Sequence, residues 1–571
     1  MPASFLRSLT CAAALLLTTA PLASAEGLAG AYLAGRAATF DSDFAASARY
    51  YTRALVRDPQ NVTLMENLVY AQLSLGDIKS ALPVAKRMQE EGVRSQVANI
   101  VVAGSFALAE DYAALLARDV AEFQISPLVD GLLDAWAHMG QGSVSQALEQ
   151  FDIVGQQEGL RFFALYHKAL ALASVGDYEG AEALFSDNEG QLGRSSRRAA
   201  IARVQVLSQL GQNEQALEVL VDSFGAGFDP ALTAMADQLS AGETLAFTIA
   251  PSPKEGMAEV FYSLAQALSG EAANDYVLMY TRMATVLKPD HVDAILLSAG
   301  LLDQLGRYEL SIDTYKQVPR DNADFHAAEL GRAEALRRAG NPQAASEVLQ
   351  QLARDFPDHI AVQTDLGDLM RQQEDYTAAV AAYDRALDLS EEGAQNRWFL
   401  LYARGICHER LKMWDEAEAD FRAALEIDPE QPQVLNYLGY SLVERQEKLD
   451  EALSLIERAV AARPDSGYIV DSLGWVLYRL GKYEEAVGHM ERAVELMAVD
   501  PVVNDHLGDV YWAVGRKLEA QFQWRRALSF IKPDDTDTEA DPARIRRKLE
   551  IGLDAVLVEE GADPLKVANE G

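Results

Sequence analysis

Cysteine is nearly absent from this chain, with two in 571 residues, Cys11 and Cys407. A disulfide-stapled scaffold is therefore excluded, and stability has to come from packing. Cys407 reads as a small buried hydrophobe rather than a reactive thiol. Histidine is sparse too: the eight, at 138, 167, 291, 326, 359, 408, 489 and 506, never fall three or four residues apart. No local metal site is expected. Basic residues are few, 50 Lys and Arg against 86 Asp and Glu, a net charge of −36. That balance opposes phosphate backbones and anionic headgroups, so nucleic acid is not an expected partner. Motifs for catalysis are missing: H-E-x-x-H, G-x-S-x-G and G-x-x-x-x-G-K-[ST] do not occur. The Gly474 to Gly481-Lys482 stretch imitates a phosphate loop, but six residues separate its glycines instead of four. No cofactor, no metal and no enzymatic activity are expected. No strand pattern is found, so the fold class is all-α.

The first 25 residues stand apart. Arg7 precedes an apolar run from Leu9 to Ala20, and Ala23-Ser24-Ala25 matches an A-x-A cleavage site. This is the pattern of a secretory signal peptide cleaved after Ala25. A lipoprotein anchor on Cys11 is disfavoured, because the preceding Ser8-Leu9-Thr10 does not fit a lipidation box. Nothing later approaches the ~18 apolar residues of a membrane-spanning helix. The expectation is a protein exported to the periplasm.

A 34-residue period then runs through almost everything that follows. Gly474 to Gly508 and Gly481 to Gly515 are each 34 residues apart. Leu473-Gly474, Leu477, Gly481-Lys482-Tyr483, Ala486 and Ala493 recur as Leu507-Gly508, Tyr511, Gly515, Ala520, Trp524 and Ala527. Leu366-Gly367, Tyr376, Ala379, Tyr383 and Ala386 repeat it upstream. Each copy holds two apolar stripes at helical spacing. Small residues at positions eight and twenty allow the two helices to cross closely, and a bulky one at position twenty-four fills the space beside them. Proline often follows the second helix, at Pro59, Pro289, Pro357, Pro429 and Pro464, where it costs no interior hydrogen bond.

Units are expected to begin near 28, 62, 128, 162, 197, 258, 292, 326, 360, 398, 432, 467 and 501, with degenerate ones near 97 and 229. The division expected is an N-terminal array over 26–239, a seam at 240–256 carrying Pro251 and Pro253, and a C-terminal array over 257–530. An acidic linker at 531–540 and a capping helix at 541–560 follow, then a disordered tail over 561–571. The capping helix would bury Ile545, Leu549, Leu553 and Leu557 and leave Arg544, Arg546, Arg547 and Lys548 to solvent.

These residues resemble the tetratricopeptide repeat (TPR) family. The resemblance implies an α-solenoid, a right-handed superhelix of about 13–15 helix-turn-helix units, whose concave face binds proteins or peptides. It also implies that positions 2, 5, 9, 12 and 13 of each first helix line that face. In the last units these are Phe399, Tyr402, Asn436, Tyr440, Tyr468, Asp471, Trp475, Tyr478, Arg479, Asp505, Asp509 and Trp512. The partner-binding groove is assigned to Tyr402, Asn436, Tyr440, Asp471, Trp475, Tyr478, Arg479, Asp505, Asp509 and Trp512, since Trp, Tyr and Arg dominate binding hot spots. A client with aliphatic anchors and basic flanks would suit it. With Trp475 facing a groove, its truncation should cost less stability than enlarging Gly474. The competing reading is that some of these rings pack between neighbouring helices.

Asn436-Tyr437-Leu438-Gly439-Tyr440-Ser441-Leu442 and Asp471-Ser472-Leu473-Gly474-Trp475 through Gly481 further resemble envelope TPR adaptors of periplasmic carboxyl-terminal-processing proteases. Those adaptors are lipid-anchored, whereas this chain has no lipobox. The expected function is a non-enzymatic periplasmic scaffold that brings clients to an envelope protease or cell-wall assembly system. The alternative is a docking module of an exopolysaccharide or protein export machine. The oligomeric state is left open.

Overall fold

A computed structural model describes residues 27–188, 196–225, 228–532 and 540–562. The expected signal segment, most of the expected acidic linker and nearly all of the expected tail lie outside them. Among the described residues every regular element is helical, 31 helices in all, mostly of 12–14 residues and arranged as successive antiparallel hairpins. This is the expected all-α solenoid of helix hairpins. The expected unit starts fall within one residue of a helix start, with one exception. The unit placed at 258 begins at 253, on the helix Pro253–Leu268.

The hairpins close for the reason their spacing suggests. A Cβ added at Gly367, Gly405, Gly439, Gly474 or Gly508 would lie 2.2–2.7 Å from Tyr383, Phe421, Ile456, Met490 or Trp524, sixteen or seventeen residues on. Ala379, Ala417, Ala452, Ala486 and Ala520 are fully buried at the other side of each crossing. The turns need a left-handed residue: Gly481 has φ +75°, a conformation that costs glycine little. Aspartates often start the second helix. Asp77 and Asp375, for example, each accept a hydrogen bond from the backbone N–H three residues on, satisfying a group left orphaned by the helix start.

The chain forms two compact units, residues 1–348 and 349–571. The expected seam at 240–256 is therefore not a division between them. It lies inside the first unit, laid along helix Arg197–Gln209. Gln205 pairs with Thr248 through both its amide ends, Ser208 accepts from the Leu245 N–H, and Gln209 donates to the Leu245 carbonyl. Leu245, Ile249 and Ala250 are buried. Its prolines and glycines mark turns and a helix start, with Ser252 as cap and Pro253 in the first turn, rather than a joint.

After this stretch the first unit fills its own inner face. The hairpin of helices Pro253–Leu268 and Asn274–Leu287 packs on helices Val62–Ser74, Gln96–Leu108, Pro127–Gly140 and Arg161–Ser174, the first helices of four earlier hairpins. Gly256 sits against the Trp136 ring and Gly104 against Met283. Polar groups lock the insertion. Tyr166 donates to Glu259 at 2.8 Å, Arg198 and His291 converge on the same carboxylate, and Tyr70 donates to Asp275. Arg198 beside it holds the Glu259 carboxyl well below the usual range against the effect of burial. Such a fully buried charge persists only when paired this way.

In the second unit the capping segment is two helices, Pro542–Ile551 and Leu553–Glu559, broken at Gly552 with φ +87°. Ile545 and Leu553 are buried as expected, but so is Lys548, entirely. Its ammonium lies 2.6 Å from both Asp505 and Asp509. Charge pairing, invisible in an apolar stripe, overrides the expected solvent-facing position.

Candidate functional site

The inner face of the second unit is built from the first helices of its hairpins: Arg397–Arg410, Pro432–Glu444, Gly467–Arg479 and Pro501–Ala513. Residues at the expected groove positions fall into two groups, with Asp471 belonging to both. One group bridges adjacent helices. Asp471 lies 3.0 Å from His506 on the next first helix. The Trp475 ring stacks between Tyr478, 4.9 Å away, and His506, 3.9 Å away, and its indole N–H donates to Glu444. Trp475 and Tyr478 are only 9% and 8% exposed, so the concave reading of these two rings is corrected: they are packing between helices. Burial, ahead of the Asp509 charge, pushes the Tyr478 hydroxyl well above its ordinary range.

Asp505 and Asp509 receive the same correction. They are 6% and 1% exposed, hold Lys548, and Asp509 also accepts from the Trp524 indole. Burial, with Asp509 adding to it, raises the Asp505 carboxyl to about 6. Trp512 is partly exposed but donates to Asp554 of the cap and stands under Lys517. Asp505 and Asp509 are thus engaged by the chain itself. Tyr402 joins a cluster with Trp398, Phe421 and Tyr437, where burial pushes its hydroxyl up to about 12. Arg479 is half-buried and lies outside the cleft described next.

The second group borders an open cleft of about 610 Å3. Its lining includes Asn436, Tyr440 and Asp471 from the expected set, with Tyr437, Ser441, Tyr468 and Ser472 beside them. Arg410, Lys412 and Trp414 stand on one side; Met497, Val502 and Val503 form an apolar patch from the approach to the last first helix. Tyr468 is 48% exposed. Asn436 is 9% exposed, and its Oδ1 meets no hydrogen-bond donor. An amide carbonyl in that position is costly unless something completes it. Glu444 and Arg445 form a further part of the lining, Glu444 held by Trp475 and Arg445 stacked over Trp414 at 4.7 Å. Arg445, Trp414 and the 497–503 patch were not expected, because they come from helix ends and turns to which repeat position assigns no role.

Fold and site together define an α-helical repeat protein with an open interaction cleft. Family models described as tetratricopeptide repeat match residues 32–92, 330–395 and 437–501, and a second model of the same description matches 398–431. The chain carries tetratricopeptide repeats. A curated relative, the TPR repeat-containing protein PA4667 of Pseudomonas aeruginosa, is 32% identical over 174 residues, 30% of this chain and 28% of the relative. Protein O-mannosyl-transferase TMTC1 of Homo sapiens is 27% identical over 188 residues, 33% of this chain and 21% of that protein. The chain thus spans less than a third of the length of either curated relative. Among solved structures, the APC/C hetero-tetramer Cut9–Hcn1 aligns over 92% of this chain and 96% of its own, at 14% identity and a TM-score of 0.38.

Proposed function

We propose that the protein is a periplasmic scaffold that holds an extended segment of a client protein in the cleft bordered by Asn436, Tyr440 and Tyr468. The observation that carries this reading is the open cleft itself, lined by Tyr437, Tyr440 and the 48%-exposed Tyr468. Tyr440, Tyr468 and the Met497–Val503 patch would take the side chains. In the first unit the 253–287 hairpin covers the inner side of four earlier hairpins. With Asp505 and Asp509 paired to Lys548, basic flanks are no longer required of the client. The chain works by binding, not catalysis.

The particular system rests on resemblance. The segments 436–442 and 471–481 that resemble protease adaptors include cleft residues, which supports recruitment of clients to an envelope protease. The decisive experiment places a photo-crosslinking amino acid at Tyr468 and identifies what is captured in the native envelope. Capture of a protease or its cell-wall hydrolase substrate is expected; capture of an export channel would move the protein to the alternative system. The Tyr440→Ala/Tyr468→Ala double variant should keep its helix content and lose at least about tenfold in client affinity. Undiminished affinity would displace the site. The export reading is checked by N-terminal sequencing, which should start at Glu26; an acylated Cys11 would overturn it.

A further inference from the structure

One helix of the cleft is unlike the rest of the chain in charge. Lys, Arg, Asp and Glu make up 24% of the sequence, with a net charge of −36, yet none occurs from Gln431 to Val443. That run is almost the whole of the first helix Pro432–Glu444, and it supplies Asn436, Tyr437, Tyr440 and Ser441 to the cleft. Carboxylates that border these residues are engaged within the chain. Glu444 accepts the Trp475 indole N–H, Asp471 lies 3.0 Å from His506, and Asp500 accepts from the Val502 and Val503 N–H groups as a helix cap. Arg410, Lys412 and Arg445 stand on one side, outside the uncharged run. The middle of the cleft thus presents neutral groups in a strongly acidic molecule, and it matches a segment that carries no charge.

Spacing adds a second observation. Gln433, Tyr468 and Val502 are each the second residue of three consecutive first helices, Pro432–Glu444, Gly467–Arg479 and Pro501–Ala513. Phe399, 34 residues before Gln433, continues the row on helix Arg397–Arg410. Tyr468 is 48% exposed and Phe399 38%, and Tyr468 and Val502 border the cleft. Axes of packed helices lie roughly 8–10 Å apart, so the row offers one contact about every 9 Å across the helices. A polyproline II helix has three residues per turn and rises about 3.1 Å per residue, so it returns to the same face after roughly 9 Å. A β-strand returns after about 6.7 Å and is out of step by the second contact.

We infer that the client segment is an uncharged, proline-rich stretch in the polyproline II conformation, laid across the first helices with every third residue against Phe399, Gln433, Tyr468 and Val502 in turn. The inference rests on the client-binding reading of this cleft and names the chemistry of its ligand. Proline has no N–H, so such a segment asks for no acceptor from carboxylates that are already engaged. Its carbonyls have no partner within the segment, and the exposed Tyr468 hydroxyl can donate to one of them. Aromatic side chains give the pyrrolidine rings flat apolar faces to lie on. The segment also arrives already extended, so little conformational freedom is lost on binding.

The test uses the chain from Glu26 onward and the fluorescence anisotropy of labelled peptides. The probes are decaproline and the same peptide with glycine at its central positions, which breaks the polyproline II conformation. Decaproline is expected to bind, and the interrupted peptide to bind at least about tenfold more weakly. Tyr468→Ala removes a half-exposed ring; it should keep its circular dichroism spectrum and lose at least about tenfold in affinity for decaproline. Equal affinity for the two peptides, or undiminished binding by Tyr468→Ala, overturns the inference. So does failure of decaproline to bind. Photo-crosslinking at Tyr468 then separates the two readings: a captured client leaves the cleft as the binding site and removes only the proline-rich ligand, whereas no capture removes both.

Discussion

Replacing Lys548 with Met tests how the C-terminal end of the repeat array is closed. The side chain is fully buried and its ammonium sits 2.6 Å from each of two carboxylates, Asp505 and Asp509, themselves 6% and 1% exposed. Met keeps most of the volume and removes the charge. Two carboxylates are then left in a site shielded from water, with Arg544, 3.6 Å from Asp509, as the nearest remaining cation. Removing one partner of a buried ion pair costs about 3–5 kcal/mol. Because repeats can open independently, the assay should be local: hydrogen exchange over 501–559, which should lose protection corresponding to that cost. The pH dependence gives a second, independent readout. Burial raises Asp505 to about 6 from an ordinary 3.8, so the folded state takes up a proton before the unfolded one. Its contribution is most favourable below about pH 4 and is lost as pH rises through 6. Without Lys548 that titration moves upward, so the variant should recover part of its protection between pH 7 and pH 5. Adding Asp505→Asn and Asp509→Asn should recover more at neutral pH. Unchanged exchange in Lys548→Met at pH 7, or a variant that acid only weakens, would refute the pairing.

Three further outcomes follow from the packing. Trp475→Ala should cost about 3–5 kcal/mol, as a buried aromatic does, while Gly474→Ala should cost about 1–3 kcal/mol, because the two nearest atoms it meets belong to the flexible Met490 side chain; thermal denaturation compares them, and a near-neutral Trp475→Ala would return that ring to the groove. His167 accepts the Trp136 indole N–H on Nδ1, and burial lowers it to about 4; the unfolded chain therefore binds the extra proton first. The first unit should lose roughly 3 kcal/mol as pH falls from 6.5 to 4, a slope that His167→Asn should flatten in chemical denaturation at several pH values. Limited proteolysis should spare 240–256, since its backbone is held by Gln205, Ser208 and Gln209; early cleavage there would restore the seam.

The repeat was legible because it is local. A glycine sixteen or seventeen residues before a large side chain, a buried alanine between them and a left-handed glycine at the turn all act within one hairpin, and together they place nearly every helix start. What was not legible depends on distance. Nothing in residues 253–287 announces that this hairpin folds back onto four earlier ones. Only the three-dimensional meeting of Glu259 with Tyr166, Arg198 and His291 shows it. Lys548 illustrates the same point at the other end: on a helical wheel it belongs with three arginines, yet two aspartates some forty residues upstream draw it inside. The second event removes inner surface from the expected groove. The rings chosen by repeat position were therefore a mixture, Tyr440 opening on solvent and Trp475 closing a joint between helices. Family position specifies where on a helix a residue stands, while burial depends on what the rest of the chain places against it. Among the described residues the cleft around Asn436 stays open, and the proposed client site is placed there for that reason.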